Sequence, residues 1–378
     1  MQLLRLSIPH LDAAAASAAT AVLRSGRLAH GEQGNAFEDE LAAFLRCRDV
    51  VLVSSGTAAL HLALLAQGIG PGDAVLVPDF AHPAVGNVVR LAGARPVLVD
   101  VDPRRYVVTE ASVARAIADW RGAERLRAVL PVHEFGCPVD MDAIGNVARD
   151  AGLAVIEGAA SAIGADWRGQ PLGSFGAMGC FSMHANRTLT TGEGGFVATN
   201  NAALAMRLRR LRHHGMERAG TAMTYHEVGV NARLTDLQAA IGRTQLPHLP
   251  GWIAQRRDLA RQYHEALSFM ASEGVLTRPA IDAPGHGWQS YMIVLEGRID
   301  RARVVRALAA QGIEAAPGAT CLSDLGPFED VRLRRSTASR LGRRGIALPF
   351  CERYGAAEVG RVVAALQRAI AGEDVGRV

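Results

Sequence analysis

None of the 378 residues is lysine; all 41 basic side chains are arginine. The chain therefore holds no side-chain amine that could condense with a carbonyl, because a guanidinium stays protonated and delocalised. Its chemistry has to come from other groups, and the loops that follow short apolar, β-branched runs are where to look. Five of these loops are rich in polar or reactive types: Ser54-Ser55-Gly56-Thr57, Asp79–Pro83, Val132–Gly136, Gly158–Ser161 and Ser182–Thr191. In the first, Gly56 and Thr57 open a helical stretch directly after a strand. Their backbone N–H groups and the helix dipole favour a phosphate or carboxylate. His82 and His184 titrate near neutrality and are candidates for acid/base work, although a strand-end histidine also serves as a hydrogen-bonded structural residue. Glu157, last in its strand, reads either as a base or as a buried acceptor for nearby backbone donors.

The elements that position these loops follow from apolar periodicity. Val50–Val53, Ala74–Pro78, Pro96–Asp100, Arg127–Val132, Leu153–Glu157 and Phe196–Thr199 read as buried strands. Thr57–Gln67, Pro83–Ala92, Ala111–Asp119 and Met141–Ala151 carry helical spacing between them. Such alternation predicts an α/β fold with a mostly parallel sheet, whose ligands sit beyond the carboxyl ends of the strands. A long amphipathic segment at Leu234–Leu246, a Pro250–Gly251 break and a helix over Trp252–Met270 come next. Strand-like Tyr291–Leu295 and helices near Arg301–Gln311 and Ala356–Ala371 complete a smaller α+β unit. The expected division is a large domain over 1–250 and a small C-terminal domain over 251–378.

Composition narrows the classes of function. The formal charge of +4 is mild and the arginines are spread over helices, which argues against nucleic acid as a partner. The five cysteines are far apart and show no metal spacing, so buried thiols, no metal site and a reducing compartment are expected. The N-terminus lacks a basic-then-apolar signal, and no apolar run approaches a membrane span. A cytoplasmic protein with no membrane partner is the expectation.

A collinear series of motifs adds to this reading. Ser25-Gly26 through Glu38, Ser55-Gly56-Thr57-Ala58-Ala59-Leu60-His61, Gly70-Pro71-Gly72-Asp73, Pro131-Val132-His133, Asp140-Met141-Asp142, Thr191-Gly192-Glu193-Gly194-Gly195 and Asn231-Ala232-Arg233-Leu234-Thr235-Asp236 are its members. Together they resemble the DegT-type sugar aminotransferase family, from about residue 6 to residue 370. The resemblance implies an aspartate-aminotransferase-like (fold type I) large domain with a mostly parallel seven-stranded sheet, and a homodimer with active sites at the subunit interface. It also implies chemistry on a keto sugar, usually nucleotide-linked, through pyridoxal phosphate (PLP). Ser182 then belongs to the phosphate contacts, and Asn231 resembles the residue donated by the partner subunit. Glu193 belongs to the glycine-rich turn after the catalytic lysine.

At the catalytic positions the chain departs from that pattern. The Schiff-base lysine falls on Arg187, and the aspartate that keeps the PLP ring nitrogen protonated falls on Gly158. The cofactor-contacting glutamine falls on Ser161, the histidine two residues later on Ile163, and the ring-stacking aromatic on His82. Without the lysine no Schiff base forms with the protein; without the aspartate the ring is a poor electron sink. Neither PLP nor its amine form, PMP, is then expected as cofactor. The expected protein is a PLP-independent enzyme doing acid/base or condensation chemistry on an anionic biosynthetic intermediate. Arg187, His82, His184 and Ser161 would be its catalytic residues, with Gly56, Thr57, Ser182, Asn231 and Glu193 binding the anion. A non-catalytic homologue that binds such a ligand or pairs with an active paralogue is the second reading, and a PMP-type sugar aminotransferase or dehydratase is the third. Cys321 is open to two roles, nucleophile or inert buried thiol.

Overall fold

The computed structural model describes residues 3–334 and 336–372. Seven strands form the main sheet: β1 (Asp49–Val53), β2 (Asp73–Pro78), β3 (Arg95–Val99), β4 (Arg125–Val129), β5 (Ala154–Gly158), β6 (Met178–Ser182) and β7 (Gly195–Thr199). Their spatial order is β1-β7-β6-β5-β4-β2-β3. The pairings from β6 to β3 are parallel, and β7 runs antiparallel to both of its neighbours. This is the expected mostly parallel α/β sheet of the aspartate-aminotransferase type.

Strand β6 has no counterpart among the strands expected from periodicity. Its residues, Met178-Gly179-Cys180-Phe181-Ser182, include no β-branched side chain, so the usual strand signal is missing. Gly179 is needed there: a Cβ would lie 2.1 Å from the Gly173 carbonyl oxygen. The strand delivers Ser182 to the carboxyl end of the sheet.

Helices cover both faces of the sheet. On one side α1 (Gly56–Ala66), α2 (Ala84–Leu91) and α3 (Ala202–Leu211) close a cluster with Val51, Val53, Val75, Val77, Ile156 and Cys180. The other face of the sheet packs Leu52, Leu76, Val129, Phe181 and Phe196 with Phe37, Leu41, Ile144 and Ala239. Each buried aliphatic or aromatic side chain there contributes roughly 1.5–3 kcal/mol relative to exposure.

The small unit centres on the antiparallel strands β8 (Leu276–Thr277), β9 (Tyr291–Leu295) and β10 (Gly345–Leu348), in the order β8-β9-β10. Its core includes Tyr263, Leu308, Val362 and Leu366, and also Leu4, so the N-terminal stretch packs with this unit and not with the large one. Leu4 bonds the Gly312 carbonyl and Phe350 bonds that of Leu6. The expected Pro250–Gly251 break is absent. Both residues lie in the first turn of the helix Leu249–Ala266, where the missing proline N–H has no intrahelical partner to lose.

Candidate functional site

The N-terminus of α1 has the geometry to accept an anion. Ser55 adopts extended backbone angles, caps the helix and accepts from Ala58 N at 3.1 Å. The Gly56 and Thr57 N–H groups point out of the first turn with no partner in the helix. Glycine is required at 56 because a Cβ would stand 2.7 Å from Ser182 Cβ, so the tip of β6 touches the helix start. The Ser182 hydroxyl accepts from His184 N at 3.3 Å, which leaves its proton for a ligand.

One cavity of about 310 Å³ gathers these groups. Gly56, Thr57, His82, Ser182, His184, Arg187 and Glu193 all line it, with Asn186 and Ala160. Ser161 reaches it through Arg187, whose Nη1 donates to Ser161 Oγ at 2.7 Å. Asn231 does not line it; it is exposed and bridges to His213. A larger hollow, about 730 Å³, lies beside residues 18–33 and includes Asp236. That carboxylate is committed to the amides of Gly31, Gln33 and Gly34, at 2.7, 3.2 and 2.9 Å.

Hydrogen-bond partners separate the candidates. His82 accepts from Ala84 N through Nδ1 at 3.2 Å, which assigns its proton to Nε2. Burial, then the charges of Arg187 and His184, hold its pKa below the usual histidine range, so it is neutral at pH 7. His184 is exposed; its Nδ1 meets Asn186 Oδ1 at 2.8 Å and its Nε2 lies 3.6 Å from Glu193. Burial lowers the pKa of Arg187 and Glu134 opposes that shift. The guanidinium remains a cation, and its Nε is shielded from solvent without a hydrogen-bond partner among the described residues.

Glu134 is the functional candidate that sequence reasoning missed. It is only 8% exposed, in the loop after β4, and that loop lies against the Ser161 loop: a Cβ on Gly136 would sit 2.8 Å from Ser161 O. Burial pushes its carboxyl up to about 7, against the pull of Arg187 and the Phe135 N–H. The available signal was an acid in a strand-end loop beside His133.

The other open residues are structural. Glu157 is fully buried and accepts from Gly173, Phe175 and Gly176 N–H at 2.7, 2.8 and 2.7 Å, and meets His133 Nε2 at 3.1 Å. It is a hub that holds the turn before β6, not a base. His133 Nδ1 accepts from Val139 N at 3.2 Å, so both ring nitrogens of that histidine are occupied. Cys321 is buried against Asp79 Oδ2 at 3.5 Å, and burial pushes its thiol up to about 12, which leaves it un-ionised and inert. Among the described residues no His, Cys, Asp and Glu side chains converge in a group able to hold a metal. No helix among them is long and apolar enough to cross a membrane.

Comparison with known proteins places this geometry. The model of the DegT/DnrJ/EryC1/StrS aminotransferase family matches residues 9–367. GDP-perosamine synthase of Caulobacter vibrioides is 37% identical, over 88% of this chain and 89% of that protein. A UDP-N-acetyl-3-dehydro-α-D-glucosamine 3-aminotransferase of Acidithiobacillus ferrooxidans is 38% identical, over 90% of each. DesV of S. venezuelae, solved with a ketimine intermediate, has a TM-score of 0.85 at 32% identity and covers 98% of this chain and 100% of its own.

Two expectations are corrected by these relatives. A PLP-independent enzyme without cofactor is not what they describe: the relatives are named as aminosugar-forming enzymes, and the fold also occurs in a protein solved in PLP and PMP forms. The departures at 158, 161, 163 and 187 therefore do not by themselves support the absence of a cofactor. The residues present fit its phosphate, through Gly56, Thr57 and Ser182. They do not fit a covalent attachment, since Arg187 cannot form one. Nor is there a ring-nitrogen acid at Gly158, whose Cβ would meet Val132 Cγ2 at 2.8 Å. By sequence match along nearly its whole length and by the shape of its sheet, the chain belongs to the DegT/DnrJ/EryC1/StrS aminotransferase family.

Proposed function

We propose that this protein binds a B6 phosphate non-covalently in the cavity at the tip of β6 and acts on the amino or keto group of a nucleotide-linked sugar. The single observation that supports it is the α1 terminus: two free N–H groups, a glycine that allows close approach, and Ser182 beside them, all in one cavity. The relatives' names supply the sugar-nucleotide class. When bound, the cofactor supplies an amine or aldehyde for exchange with the sugar. The chain's own residues do the rest. Gly56, Thr57 and Ser182 hold the phosphate, and His82, neutral and fixed by Ala84, presents Nε2–H. His184, with Glu193 at 3.6 Å, is the exposed group able to carry a proton at the mouth. As part of the same reading, the working unit is a homodimer. Asn231 lies outside its own cavity, and Met223, Tyr225 and Val228 leave an exposed apolar surface beside it in sequence.

Calorimetric titration of purified protein with PLP, PMP and pyridoxine 5′-phosphate tests this. Saturable binding that dialysis reverses is expected, with no covalent adduct at the cavity after borohydride. Gly56→Val should remove binding by filling the cradle. Absence of binding by all three phosphates would overturn the proposal.

A further inference from the structure

The inner wall of the cavity holds more cation than the protein itself satisfies. A guanidinium has five N–H donors. Arg187 makes one side-chain hydrogen bond among the described residues, to Ser161 Oγ, and its enclosed Nε has no partner. Among the described residues no carboxylate forms an ion pair with it, and Glu134, the acid that acts on it electrostatically, makes no direct hydrogen bond to it. The guanidinium is half-buried, lines the cavity and keeps N–H donors available to a ligand there. It is also braced: Ser161 fixes one nitrogen, and the backbone N–H of Arg187 bonds His184 O at 2.9 Å. A rigid fork of this kind matches a planar oxyanion by two parallel hydrogen bonds.

We propose that the cavity takes a ligand with two anionic ends, its phosphate on the α1 terminus and a second oxyanion, a carboxylate in the simplest case, on Arg187. Arg187 is then a specificity-determining residue that favours oxygen over ammonium at the inner end of the ligand. Glu134 is the counter-charge that the second oxyanion displaces in its influence on Arg187. The inference rests on the phosphate reading above and adds the chemistry of the opposite end.

Three probes differ only at that end: 4-pyridoxic acid 5′-phosphate carries a carboxylate, pyridoxine 5′-phosphate a neutral hydroxymethyl, and PMP an ammonium. Wild-type protein should bind the carboxylate probe about ten- to a hundredfold more tightly than PMP, the range of one charge-assisted hydrogen-bonded pair. Arg187→Gln should erase that preference while pyridoxine 5′-phosphate binds as before. Ser161→Ala, which keeps the charge and removes the brace, should reduce it in part. Glu134→Gln should widen it by removing the competing carboxylate. Equal binding of carboxylate and ammonium probes by wild type, or a preference that survives Arg187→Gln, would overturn the inference and leave the phosphate reading intact. If none of the three binds, both fall.

Discussion

Replacing Glu134 with glutamine should stabilise the protein in alkali and do so progressively less in acid. A carboxyl that titrates at 4.5 when free and near 7 in the fold is penalised only where it is ionised. The cost is absent below 4.5, grows between 4.5 and 7, and is complete above 7, so the wild type loses stability as pH rises through that window. Linkage puts the cost at about 3 kcal/mol near pH 8.5 and about 1.5 kcal/mol near pH 5.5. The groups that act on Glu134 are Arg187 and the Phe135 N–H, both of which already offset part of its burial. Glutamine keeps the shape, pays a desolvation cost that does not change with pH and leaves Arg187 without its counter-charge, so the slope is the clean readout. Guanidinium unfolding of both proteins, followed by tryptophan fluorescence at several values between about pH 5.5 and about pH 8.5, measures it. A gap that fails to shrink on acidification would refute the assignment of a neutral-range carboxyl to this pocket. So would a wild type at least as stable as the variant throughout.

Two further substitutions probe the frame and the cavity. Glu157→Gln exchanges one acceptor oxygen for a donor, so two of its four hydrogen bonds lose their acceptor. A loss of about 2–5 kcal/mol in unfolding free energy is expected, and an unchanged midpoint would show that the hub is not holding the turn before β6. Arg187→Lys introduces the chain's single side-chain amine at the inner wall. Incubation with PLP followed by borohydride should leave a covalent mass increment on residue 187 in the variant and none there in wild type. Failure to label would mean that position 187 does not reach the ligand's carbonyl carbon.

The fold was legible because its signals are local and redundant. Val51, Val53, Val75 and Val77 are β-branched and buried, and Ser55 before Gly56 announces a capped helix after a strand. The unseen strand β6 shows what defeats that reading. Its glycine, cysteine and serine are chosen by what touches them, the Gly173 backbone and the α1 terminus, and those contacts are long-range. The rim of the cavity was legible for the same reason as the fold: a helix start with a cap and a glycine leaves marks in sequence. Glu134 was not, because its importance comes from burial and from the charge of a residue more than fifty positions away.

That contrast separates the two ends of the cavity. The α1 end is held by main-chain geometry, which side-chain substitution hardly alters so long as Gly56 and Ser182 remain small. The inner end is held by side-chain charge, and there a lysine-to-arginine exchange is not conservative. An amine can lose its proton and attack a carbonyl, whereas a guanidinium can only donate hydrogen bonds to oxygen. With Ser161 bracing it and Glu134 acting on its charge, Arg187 is placed to recognise a ligand, as proposed above, and not to react with one. On the proposal above, the same phosphate grip holds the ligand reversibly, with no covalent capture at residue 187. What the inner end prefers, oxygen or ammonium, then decides which form of the ligand the protein retains.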